Sequence, residues 1–179
     1  MSEKINWILE LDEISKEVKE SFKELDKETI YRKPDNKNWS IAENLEHIMK
    51  VNNSYFPIFR KLKEGTFHGA FISKIGFFSK LFGNLIYKSV SDGGKKKVKT
   101  FSLWEPKIQD ENSEIVEKFL SHQEELKGWI KEMEMFINKG EIIHSPANSL
   151  IVYSLPRALD IIVAHEKRHL DQARRNLRI

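Results

Sequence analysis

Apolar residues recur at three- and four-residue steps through most of the chain, and no sustained alternation marks a strand. Ile5, Ile8, Leu9, Leu11, Val18, Phe22 and Leu25 predict a first helix over about 6–26. The stretch 29–38, with Pro34 among polar residues, reads as a connection. Ser40 followed three residues later by Glu43 has the form of a capping box at the start of a second helix. Ile41, Leu45, Ile48, Val51, Tyr55, Phe59 and Leu62 form its buried side, and Pro57 should kink it or end its regular part early. A third long helix over about 112–138 carries Ile115, Phe119, Leu126, Trp129, Ile130, Met133 and Ile137, with Lys139-Gly140 as its C-cap. A connection containing Pro146 leads to a last helix over about 155–177, with Pro156 in its first turn. Four long amphipathic helices predict an all-α fold, a four-helix bundle formed as one domain from residues 1–179.

The crossover between the second and third helices is elaborated. Residues 67–87 hold five of the eleven phenylalanines, and Phe71, Ile75, Phe78, Phe82 and Leu85 mark one face of a further helix that Gly76 and Gly83 weaken. Such a segment packs on its own bundle; the alternatives are a cover over a cavity or a contact with a membrane surface through 67–100. It runs into a loop with Lys88, Lys95, Lys96, Lys97 and Lys99 against Asp92. The formal net charge of +3 therefore belongs to one loop, which reads as solvated rather than as a nucleic-acid surface.

With 179 residues and 40% apolar content the chain can bury a sizeable core. Cysteine is absent, which excludes disulfides, thiolate metal sites and a cysteine nucleophile. The first residues do not have the form of a signal peptide, and no apolar run approaches the roughly 18 residues that a spanning helix needs. A soluble, cytoplasmic protein is expected.

The chemistry concentrates in Ala164-His165-Glu166-Lys167-Arg168-His169. His165 and His169 are four apart, one above the other on a helix, and both can reach one cation. Leu159, Ile162, Val163, Leu170 and Ala173 flank them, so the pair faces the core or its edge. Two buried imidazoles without a partner lose hydrogen bonds and repel each other when protonated, so something should satisfy them. A metal ion suits this spacing, with hydrogen bonds to backbone carbonyls, as for a lone core histidine, the alternative. The string also matches the zinc-protease form His-Glu-x-x-His, but only ten residues follow His169 and none can serve as the usual downstream ligand. A third ligand must lie upstream. His47 is the best candidate, with a core histidine bonded to a carbonyl as the alternative. Glu46, Glu166 and Gln172 are the nearest candidates for orientation or proton transfer; the alternatives are solvated surface charges for the glutamates and a bundle-lining amide for Gln172. His68, His122 and His144 read as loop or helix-surface residues.

Trp39-Ser40-Ile41-Ala42-Glu43-Asn44-Leu45-Glu46-His47 resembles the DinB-like pattern W-S-x-x-E-x-L-x-H that opens the second helix. His144-Ser145-Pro146, Leu150, Ala158-Leu159 and the run from His165 to Ala173 resemble that family's last connection and last helix. The resemblance covers the chain in order. It implies a four-helix bundle of up-down-down-up connectivity and a divalent metal, often nickel or zinc, on one histidine of the second helix and two of the last, here His47, His165 and His169. It also implies homodimers and, in relatives such as the bacillithiol and mycothiol transferases, chemistry on low-molecular-weight thiols. A metal-dependent transferase or hydrolase acting through a bound thiol or water is the leading expectation for this chain. A non-catalytic metal-containing binding or stress-response module is the alternative.

Overall fold

A computed structural model describes residues 3–68, 76–91, 100–108 and 114–178. It is mostly helical. The helices are α1 (Glu3–Phe22), α2 (Lys27–Tyr31), α3 (Ile41–Lys63), α4 (Gly76–Val90), α5 (Ile115–Glu132), α6 (Glu134–Lys139) and α7 (Leu155–Arg175), and a two-stranded sheet, β1 (Ile142–Ser145) and β2 (Asn148–Ser154), precedes α7. Packing pairs α1 with α5 and α7, and α3 with α5 and α7. The core between them holds Leu11, Phe22, Leu45, Phe59, Phe119 and Leu126, all buried. Each contributes about 1.5–3 kcal/mol through removal of its side chain from water.

The starts of α3 and α7 are written locally. Ser40 Oγ accepts the Glu43 N–H at 3.1 Å while Glu43 Oε2 accepts the Ser40 N–H at 2.9 Å, which closes the expected capping box. Ser154 caps α7 through the Arg157 N–H, with Pro156 in the first turn. Pro57 does not end α3, which runs on to Lys63. A proline leaves the carbonyl four residues back without its helical donor, and here both Asn53 and Pro57 are exposed, so that carbonyl lies on the side of the helix that faces solvent. The expected third helix is broken once, at Met133, between α5 and α6, and closes at Gly140 with φ 64°.

Three expectations need correction. The connection around Pro146 is an antiparallel hairpin, with Ile142 opposite Ser154 and Ile143 opposite Tyr153. Its strands are too short to show a period, and the Ile142-Ile143 and Ile151-Val152-Tyr153 runs were the only signal. Tyr153 ties it to α3 through a 2.8 Å contact with the Tyr55 hydroxyl. In the crossover, α4 packs on β2 and α7. Gly83 permits this approach, since a Cβ there would stand 2.8 Å from Arg157 Cγ and 3.2 Å from Tyr153 Cβ. Leu85, expected on the buried face, is exposed. Phe71, Ile75 and the lysine loop 95–99 lie outside the described residues. No helix among the described residues is long and apolar enough to cross a membrane.

His122 is the third correction. It is buried, not on the surface, stacked on Phe56 at 5.5 Å, and its Nε2 has no hydrogen-bond partner among the described residues. Burial pushes its pKa down to about 4 from 6.5. The unfolded chain therefore takes up a proton there before the folded one does, so the stability contributed is full above pH 6.5 and is lost as pH falls towards 4. In denaturant melts, His122→Leu should remove about 3 kcal/mol of acid sensitivity across that interval, at about 1.4 kcal/mol per pH unit. An unchanged pH profile would place the proton-sensitive group elsewhere.

Candidate metal centre

Helix α7 presents His165 and His169 one turn apart, and α3 presents His47 two turns after its capped start. Because α3 and α7 pack together, the three rings meet. His47 Nε2 lies 3.1 Å from His165 Nε2, and ring centroids are 4.4 Å (His47–His169), 4.5 Å (His165–His169) and 4.9 Å (His47–His165) apart. One ligand atom from each lies within 4.8 Å of the others. Zinc–nitrogen bonds of about 2.0–2.1 Å in a tetrahedral arrangement place nitrogens roughly 3.3 Å apart, so small ring movements suffice. Trp39 closes one side, with its ring 4.7 Å from His47 and 5.6 Å from His169.

The donor set is chemically suited to a cation. His47 is pushed down to about 4 by burial, and burial first, then neighbouring histidines and Arg168, hold His165 and His169 well below the usual imidazole range. Neutral imidazole keeps a lone pair for a metal. Nδ1–H of His47 donates to the Trp104 carbonyl at 2.7 Å, since a carbonyl can only accept, and Nδ1 of His169 lies 3.0 Å from Asn44 Oδ1. In both rings the metal-facing atom is then Nε2. The Nδ1 of His165 is shut away from solvent without a partner among the described residues. In the absence of an ion this 3.1 Å contact is an N–H···N hydrogen bond donated by neutral His165 in its Nε2–H form to the His47 Nε2 lone pair, and a bound cation would take the place of that proton.

The chain matches the family model of the DinB superfamily over residues 10–173. It belongs to the DinB superfamily. No curated protein and no solved structure matches it. In this DinB superfamily protein the structure brings together all three histidines singled out from sequence, and places the other candidates differently. Glu46 Oε2 accepts the Lys107 backbone N–H at 2.7 Å and its other oxygen pairs with Lys50 at 3.3 Å, so it fastens the end of the crossover to α3. Gln172 is half-buried.

Glu166 is 0% exposed, against the alternative of a solvated charge. Its Oε1 accepts from Asn52 Nδ2 at 2.7 Å and its Oε2 from Gln123 Nε2 at 2.9 Å, which links α7 to α3 and α5. Burial raises its pKa to about 7, and the two amide donors oppose that shift. Sequence reasoning missed Asn52, Gln123, Asn44 and the Trp104 carbonyl. The asparagines and the glutamine sit at periodic inward positions, where a polar residue is itself a signal; a backbone carbonyl carries none.

Proposed function

We infer that this chain is a divalent-metal-dependent enzyme, an up-down-down-up four-helix bundle in which His47, His165 and His169 hold nickel or zinc. The observation that carries the reading is the convergence of three neutral imidazoles, two of them bonded at Nδ1 so that Nε2 faces the common centre. The pairing of α1 and α3 with α5 and α7 supports the bundle. When bound, the ion supplies a Lewis acid that lowers the pKa of a thiol or water. The chain contributes the ligands, a tryptophan wall that excludes water, and buried surroundings that strengthen the field at the site. No carboxylate among the described residues joins the set. Three neutral ligands leave the ion's charge uncompensated, which favours an anionic fourth ligand: the thiolate of a low-molecular-weight thiol, or hydroxide. Transfer or hydrolysis on a small-molecule substrate follows. A cytoplasmic homodimer completes the proposal, on the strength of the family resemblance.

Elemental analysis of purified protein tests the site. About one divalent ion per chain is expected, lost on chelation and strongly reduced in His169→Ala. Metal content unaffected by that substitution would sink the ligand assignment. A transfer screen with bacillithiol and mycothiol then tests the chemistry, and a metal-loaded protein without turnover would point to a binding module.

A further inference from the structure

Asn44 lies on the first turn of α3, 1% exposed, and its amide has three polar neighbours that leave it one orientation. Its Nδ2 stands 2.9 Å from the Ser40 carbonyl and 3.4 Å from the Trp39 carbonyl. Both are acceptors, so the NH2 group must face them; turning the amide over would set Oδ1 against two carbonyl oxygens. The oxygen is thereby directed at His169 Nδ1, 3.0 Å away. An amide oxygen can only accept, so His169 must carry its proton on Nδ1.

The geometry points to Asn44 as a positioning residue of the metal site, which fixes His169 in the Nδ1–H tautomer and presents its Nε2 to the ion. The inference rests on the metal-site reading above. The chain of cause runs from the capped start of α3 to the ligand. Ser40 ends the preceding extended segment and its carbonyl receives Asn44 Nδ2–H; Asn44 Oδ1 receives the imidazole proton of a residue on the facing helix. The same device recurs at His47, whose Nδ1–H meets the Trp104 carbonyl. Outer partners of metal-bound histidines fix ring orientation and tautomer, and their loss typically costs about 10–100-fold in metal affinity. An amide does this without adding negative charge, so the charge of the ion stays available to substrate. Of the three rings, His165 alone has Nδ1 without a partner among the described residues, so its tautomer can follow the ion.

The test separates positioning from tethering. Zinc affinity, measured by competition with an indicator chelator, should fall about 10–100-fold in Asn44→Ala. Asn44→Asp keeps an acceptor for His169 and loses the donor to the Ser40 and Trp39 carbonyls. It should bind zinc within about threefold of wild type while melting at lower temperature. Equal losses of affinity in both variants would mean that the tether alone matters and would overturn the proposal, as would unchanged affinity in Asn44→Ala. If Asn44→Ala does not fold, Asn44→Asp still decides. Nitrogen-15 spectra of the metal-free wild type give an independent readout. The Nδ1–H tautomer of His169 is expected, and a dominant Nε2–H form would overturn the inference even if zinc binds. If wild type binds no zinc, the proposed function fails, and the tautomer alone decides whether Asn44 orients His169.

Discussion

Zinc or nickel added to chelator-stripped wild-type protein should raise its melting temperature by roughly 8–16 °C, and that of His47→Ala by almost nothing. A ligand that binds only the folded state stabilises it by about 4 kcal/mol at a thousandfold excess over its Kd. For a domain of this size each kcal/mol moves the midpoint by about 2–4 °C. His47 is the one candidate ligand outside α7; without it the i, i+4 pair His165 and His169 is left to hold the ion alone. Comparing each protein with its own stripped form cancels the intrinsic cost of the substitution, which includes leaving the Trp104 carbonyl without its donor. An equal metal-induced rise in both proteins would remove His47 from the site.

The second large effect belongs to Glu166. Replacement by leucine keeps the volume roughly and deletes the acceptor of two buried amides, Asn52 Nδ2 and Gln123 Nε2. Each orphaned buried donor costs about 1–3 kcal/mol, so Glu166→Leu should lose roughly 2–6 kcal/mol of metal-free stability, less what the apolar side chain regains. Glu166→Gln should lose much less, under about 2 kcal/mol on the same scale. Asn52 Oδ1 and Gln123 Oε1 have no partner among the described residues, so one amide can turn over and offer its oxygen to the new N–H. Denaturant melts of the two variants in the absence of metal make the comparison. Equal losses would show that the carboxylate charge, and not its capacity to accept, holds the three helices together.

Much of the fold was legible because its elements obey local rules. The capping box at Ser40 and Glu43, the proline in the first turn of α7 and the left-handed Gly140 act within a few residues and were read from the sequence directly. The hairpin was not, because strands as short as Ile142–Ser145 have no period to detect. Pro57 was read as a break or kink; whether α3 continues past it depends on which side of the helix faces water.

The candidate ligands were legible for a similar reason. A spacing of four places His165 and His169 on one helical stripe whatever the fold around them, and the pattern that opens α3 singles out His47. Spacing cannot say which nitrogen each ring turns towards the centre, because that depends on acceptors drawn from elsewhere: Asn44 from the facing helix and the Trp104 carbonyl from the end of the crossover. Nor can it say that Glu166, next to the exposed Lys167 in the chain, points into the core. The sequence by itself therefore determined the helical elements, the family and the three histidines, since these follow from contacts within a turn or from patterns of residue type. Only the tertiary structure decided the tautomers of His47 and His169, the burial of Glu166 and His122, and the closeness of α4 to β2 at Gly83. Those depend on which groups distant in sequence share a space from which water is excluded.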